Sequence, residues 1–198
     1  MKLLAFETAT EACSVALWID GEVRERFEVA PRRHAELALP WAEALLDEAG
    51  IPRSQLDAIA VGRGPGAFTG VRLAVALAQG IALALDRPVV PVSTLAVLAM
   101  QAPAGKVLAA IDARMGEVYA GTFMADGQGV VATGAEKVLP PGAGVLAGDD
   151  AGWHGVGTGF GAVEAALQAS LAPRLASVDA GALPRAAHLA HLAAAAHA

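Results

Sequence analysis

Short apolar runs separated by polar breaks open the chain. Residues 2–6 and 13–19 are nearly unbroken apolar stretches of strand length, the pattern of strands buried on both faces. Asp20-Gly21 between them and the next run is a two-residue hairpin signal. Residues 22–29 then alternate imperfectly, Val23, Glu25, Phe27 and Val29 against Arg24, Arg26 and Glu28, as in a half-exposed antiparallel strand. Pro31 ends that strand. The spacing predicts a helix over residues 34–49, closed by Gly50 with Pro52 beyond it. A fourth strand is expected over 56–62. After Gly62-Arg63-Gly64-Pro65-Gly66, Thr69 is placed to cap a helix that runs to residue 85. A strand at residues 89–92 and a short helix, capped by Ser93 or Thr94 and ending near Pro103, complete a β-β-β-α-β-α, β-α order.

The pattern then starts again. Residues 107–112 form an apolar run ending in a carboxylate, as residues 2–7 do, and residues 117–123 followed by Asp126-Gly127 repeat the second strand and its hairpin. Glu7 and Asp112 are 105 positions apart, Asp20 and Asp126 are 106 apart, and two nearly equal shifts suggest a duplicated unit. Loops are expected over 134–148, where Gly, Ala and Pro dominate, and a strand-turn-helix over 156–171. Two lobes are therefore expected, 1–104 and a shorter 105–198 with a disordered tail. The fold class is α/β, the two-lobed actin-like ATPase (ribonuclease H-like) architecture, in which acidic strand tips face a cleft for phosphates and a divalent cation.

Composition narrows the function classes. With 198 residues, 55% of them hydrophobic and 17% charged, the chain can bury a core and is not a disordered one. A formal net charge of -6 with three lysines argues against a strongly basic nucleic-acid face. Cys13 is alone, so neither a disulfide framework nor a cysteine zinc site is available. The N-terminal apolar run is too short for a signal-peptide core. The longest apolar stretch, between Arg72 and Asp86 and broken by Gln79 and Gly80, falls short of the roughly 20 residues of a membrane span. A soluble cytoplasmic protein is expected.

The residues able to carry chemistry gather at strand ends. Gly64 and Gly66 lie in a turn before a helix, where backbone N–H groups can cradle an anion, with Thr69 and Arg72 beside it. The same glycines equally suit a tight strand-to-helix turn, and no P-loop or dinucleotide fingerprint fits. Glu7 with Thr8 ends the first strand, where a carboxylate can hold a metal-bound water, and Asp112 with Arg114 is the second-lobe counterpart; solvated strand ends are the plainer alternative. His188 and His191 share a helix face but lack acidic neighbours. In the helix over 69–85, Gly70, Ala74, Ala78 and Ala82 form one stripe of small side chains, and Leu73, Leu77, Ile81 and Leu85 a bulky one. Leu37, Trp41 and Leu45 mark one face of the preceding helix. Either stripe can face the protein's own core, leaving the other for a partner.

Several long motifs in order resemble the family of bacterial tRNA threonylcarbamoyladenosine biosynthesis proteins called TsaB or YeaZ. They are Glu7-Thr8-Ala9-Thr10-Glu11-Ala12-Cys13-Ser14-Val15-Ala16-Leu17, the loop from Gly62 to Arg72, Val92-Ser93-Thr94-Leu95, Ala110-Ile111-Asp112-Ala113-Arg114-Met115-Gly116-Glu117-Val118-Tyr119 and Val156-Gly157-Thr158-Gly159. The resemblance implies a noncatalytic scaffold that binds the paralogue TsaD, which modifies the adenosine beside the anticodon of tRNAs reading codons that begin with A. It also implies TsaE as a partner, a functional link to TsaC and tRNA, homodimers, no membrane association and no bound metal. It implies no tightly bound cofactor, with ATP or ADP and Mg²⁺ at a complex interface as an expectation. The candidate cleft residues are Glu7, Thr8, Gly64, Gly66, Thr69, Arg72, Asp112 and Arg114; the candidate partner residues are Leu37, Trp41, Leu45, Gly70, Ala74, Ala78 and Ala82.

Three positions depart from the family pattern. Glu7 stands where Asp is usual, Ala67 replaces a common Ser, and residues 183–198 lack a Pro-x-Tyr-x-Arg segment. An autonomous nucleotide- or metal-dependent enzyme, glycoprotease-like, is the alternative. The first half has only His34, so the His-x-x-x-His metal motif of TsaD is absent. A nucleotide-binding sensor is a third class.

Overall fold

The computed structural model describes residues 1–143, 145–146 and 148–197; Gly144 and Ala147, within the stretch expected as loops, and Ala198 lie outside it. The chain divides into two compact units. One is Met1–Val97 with Pro184–Ala198, the other Leu98–Leu183.

The first unit begins with strands β1 (Lys2–Glu7), β2 (Ala12–Ile19) and β3 (Glu22–Val29), followed by helix α1 (His34–Ala49). Strand β4 (Ala58–Gly62), helix α2 (Phe68–Leu85), strand β5 (Val89–Val92) and helix α3 (Thr94–Ala99) follow. The sheet order is β3-β2-β1-β4-β5, with β1 antiparallel to β2 and parallel to β4. Asp20 and Gly21 both have positive φ in the β2–β3 turn, as the hairpin signal predicts.

β1 is central, and its apolar run supplies two layers at once. Leu4 and Phe6 join the core under α1 and α2, while Leu3 and Ala5 face the opposite layer. That opposite layer is helix α5 (Ala186–His197), which buries Ala186, Leu189, Ala190 and Ala193 against β1, β2 and β4. Residues 184–197 thus belong with the first unit, as an ordered helix where a tail of the second lobe was expected. The cause is the sheet itself, whose second apolar face needs a cover.

α2 corrects the expectation for the small-residue stripe. Gly70, Ala74, Ala78 and Ala82 are its buried residues and lie on the sheet, so they are core and not an exposed interface. Closeness demands them: a Cβ on Gly70 would stand 2.0 Å from the Thr8 carbonyl oxygen. Leu45 is likewise core, with Leu37 and Trp41 packed partly buried against it. α2 starts at Phe68, with Ala67 at the cap position, so Thr69 lies inside the first turn without capping it. Its 18 residues, with mean hydropathy 1.7 and Arg72 among them, pass a membrane-span test by length and composition only; its small-residue face packs on the sheet.

The second unit contains β6 (Gly105–Arg114), β7 (Glu117–Ala125), β8 (Val130–Ala132), β9 (Lys137–Leu139), β10 (Trp153–Val156), helix α4 (Ala162–Leu171) and β11 (Leu175–Asp179). Its sheet runs β8-β7-β6-β10-β11, with β6 antiparallel to β7 and parallel to β10. That is the order and direction of β3-β2-β1-β4-β5, the topological signature of a duplicated unit. Leu108, Ala110, Val118, Ala120, Phe160 and Leu167 form its core. β9, which pairs with β7, lies in the stretch expected as loops, and β11 has no counterpart among the expected strands.

Candidate functional site

The end of β1 and the glycine-rich turn after β4 meet in the first unit. Glu7 is 1% exposed. Its Oε1 accepts the Ala9 N–H at 2.9 Å and its Oε2 accepts the Thr94 hydroxyl at 3.0 Å. The carboxyl lies over Gly62, where a Cβ would stand 2.1 Å from Oε2, so β4 must end in glycine there. Burial pushes the carboxyl up from 4.5 to about 7, against the bonds from Ala9, Thr94 and Thr8 that favour its charged form.

The glycine-rich turn is stitched to the same segment. The Ala67 N–H donates to Ala9 O at 2.7 Å, the Arg63 N–H to Val92 O at 2.8 Å, and the Thr94 N–H to Gly64 O at 2.9 Å. The Thr8 hydroxyl donates to Gly70 O at 2.7 Å. Gly66 sits where a Cβ would come within 2.3 Å of Ala9 O. These glycines serve close approach, the tight-turn reading of the loop, and the Arg63 and Ala67 N–H groups and the Gly64 carbonyl are used inside the unit. Arg72 turns away from the loop: its guanidinium stacks on Phe68 at 3.3 Å and donates to Phe68 O. His34 lies against the Thr10 and Ala12 carbonyls at 2.9 and 3.2 Å; since both oxygens only accept, Nε2 carries the proton.

In the second unit, Asp112 Oδ1 accepts the Arg114 N–H at 2.8 Å, and the Asp112 N–H donates to Thr158 Oγ1 at 3.2 Å. Arg114 and Met115 carry the β6–β7 turn at positive φ. Asp112 thus shapes a hairpin, and its charge partner is Arg114 at 3.6 Å. Glu7, Thr8, Gly64 and Gly66 are brought together in one unit; Asp112 and Arg114 belong to the other. Among the described residues no group of three or more His, Cys, Asp or Glu side chains is placed to hold a metal. A cavity of about 260 Å³ in the second unit, lined by Thr122, Thr133, Lys137 and Trp153 among others, includes none of the expected site residues.

Sequence reasoning missed one polar cluster. Glu25 on β3 accepts the Ser14 hydroxyl at 2.8 Å, the Arg185 guanidinium at 2.6 and 2.9 Å, and the Ala187 N–H at 3.0 Å, while Ser14 Oγ accepts the Ala186 N–H. The cluster fastens the start of α5, with Arg185 over the Phe27 ring at 4.2 Å. An arginine just before an alanine-rich stretch was the available signal.

A family model described as TsaD, tRNA N6-adenosine threonylcarbamoyltransferase, matches residues 27–197. The solved structure of YeaZ from Pseudomonas aeruginosa superposes with a TM-score of 0.88 at 47% identity, covering 99% of this chain and 92% of that one. The chain belongs to the TsaD family and, within it, to the TsaB (YeaZ) group. The Escherichia coli protein named tRNA threonylcarbamoyladenosine biosynthesis protein TsaB is 49% identical over 134 residues, 66% of this chain and 58% of that one. The Bacillus subtilis TsaB is 34% identical over 126 residues, covering 62% and 55%. The chain thus spans less than two thirds of the curated TsaB proteins it matches. The duplicated sheets of the TsaB group are the actin-like, α/β arrangement expected from the repeat.

Proposed function

We propose that the protein is a noncatalytic subunit in tRNA threonylcarbamoyladenosine biosynthesis that works by binding a TsaD partner. The TsaB relatives bear the name of that pathway, and the outward face of α2 carries the reading. Once the small stripe is committed to the sheet, Phe68, Ala76, Gly80 and Leu83 remain exposed with Arg72 and Gln79 on one side of the helix, Phe68 at 71% and Leu83 at 85%. Two large apolar side chains exposed beside polar ones suit burial against a second protein. The same face serves a TsaD subunit in the complex and a second copy of the chain in its absence. TsaE joins that complex, TsaC supplies its activated threonylcarbamoyl group, and tRNA is the final substrate, which places the protein in the cytoplasm. A nucleotide with Mg²⁺ belongs, under this reading, to the complex interface.

Gly80→Arg tests it, because a Cβ at Gly80 meets nothing within 4 Å. The variant should keep the wild-type circular dichroism and melting temperature. Its affinity for the cognate TsaD, by calorimetry, should fall at least tenfold, about 1.4 kcal/mol. Unchanged TsaD binding by a folded Gly80→Arg protein would remove α2 from the interface. Robust ATP or peptide hydrolysis by the pure chain would refute the noncatalytic role.

A further inference from the structure

We infer that the first unit contains a built oxyanion site whose resident ligand is its own Glu7, and that this residency keeps external phosphate and carboxylate out. Every group bonded to the Glu7 carboxyl is a donor: the Ala9 N–H at 2.9 Å on Oε1, the Thr94 hydroxyl at 3.0 Å on Oε2, and the Thr8 N–H beside them. Backbone N–H groups and a hydroxyl converging on one point suit an anion and repel a cation, as in an oxyanion hole. A carboxylate and a phosphate oxygen accept from the same donors, so either chemistry fits the site and only one occupant fits at a time.

Space is settled by Gly62. The carboxyl rests on its backbone so closely that a Cβ would stand 2.1 Å from Oε2. Glu7 and Thr94 are buried, at 1% and 0% exposure, so the donors reach no outside ion while the side chain is in place. The donors at this strand end are taken up from within, and the turn beside it is closed by the Ala67 N–H to Ala9 O bond. This holds whether or not the protein binds TsaD, so its fate is separate from that of the scaffold reading.

Glu7→Ala removes the atoms of one acetate. In potassium chloride the variant should melt well below wild type; potassium acetate at matched ionic strength should restore it in a saturable way, and phosphate should do so less completely because it is larger. Wild type should show no acetate or phosphate effect beyond chloride. Glu7→Gln keeps the site filled and should show no rescue by either anion. Thr94→Val added to Glu7→Ala should weaken the acetate response. Equal responses of wild type and Glu7→Ala, or none in Glu7→Ala, would overturn the assignment. If Glu7→Ala fails to fold in both salts, amide NMR of wild type decides. An Ala9 N–H that stays put through 50 mM phosphate or ATP·Mg²⁺ supports self-occupancy, and one that titrates overturns it.

Discussion

At the end of β1 a carboxyl has been carried out of water without a neighbouring cation to hold its charge, and the pH dependence of stability follows. Unfolded, Glu7 titrates near 4.5; folded, burial raises it to about 7. Between those values the folded protein holds a proton that the unfolded chain has lost, so stability is greatest at acid pH and declines as pH rises through the window. Above 7 the full cost applies, about 3 kcal/mol at about 1.4 kcal/mol per pH unit. Urea unfolding should therefore show wild type losing about 2–3 kcal/mol more than Glu7→Gln between pH 5 and pH 8. Equal losses would place the titration elsewhere. A Glu at a strand end was legible in the sequence, but not its direction, because the same residue serves an open cleft or an internal bond. Gly62 was the residue that decided it, and a glycine read alone does not name the side chain it makes room for.

Helices show the same asymmetry at the next scale. α1 and α2 were readable from periodicity, α1 with the observed ends. Which side of α2 faces inward was not, since both stripes are apolar. Contact with the Thr8 carbonyl decided for the small side chains, and the two faces should respond oppositely. Ala78→Leu forces bulk between helix and sheet and should cost about 1–3 kcal/mol in chemical denaturation. Gly80→Ala, in an exposed helix interior, should gain about 0.5–1 kcal/mol. A reversed pair of signs would turn the helix over. For α5 the sequence showed a helix face shared by His188 and His191, but not its packing on the first sheet, because its alanine-rich run marks no clear apolar side. Its attachment depends on Glu25, whose side chain is 12% exposed while that of Arg185 is 40% exposed. Glu25→Ala should cost about 2–3 kcal/mol, less than a fully buried pair. Hydrogen exchange should report it first in the α5 amides.

For the molecule as a whole, the repeat was legible from two matched carboxylates and two matched hairpins, and the sheets share one strand order. The units differ where the copies diverged. The first has α1 between its third and fourth strands; among the described residues the second has β9 and turns in the corresponding stretch, where Gly134, Pro140, Pro141 and Gly142 work against a helix. The division by sequence at 104 and the division by structure differ mainly because α5 returns to β1 and β2. Residues 1–97 expressed alone should bind a hydrophobic dye and aggregate, since Leu3, Ala5, Ala16 and Ala58 lose their cover. Joining residues 184–198 to them by a flexible linker should restore a cooperative thermal transition.

That return of α5 also sets a clock. A ribosome that has released residue 97 still has 86 residues to add before residue 184 emerges, roughly 4–17 s at about 5–20 residues per second. Throughout that interval the nascent first sheet has one face bare, so the earliest part of the protein to be made is among the last to be finished. A chaperone that engages short apolar strands would find its target there, and slowing translation should lengthen the exposure.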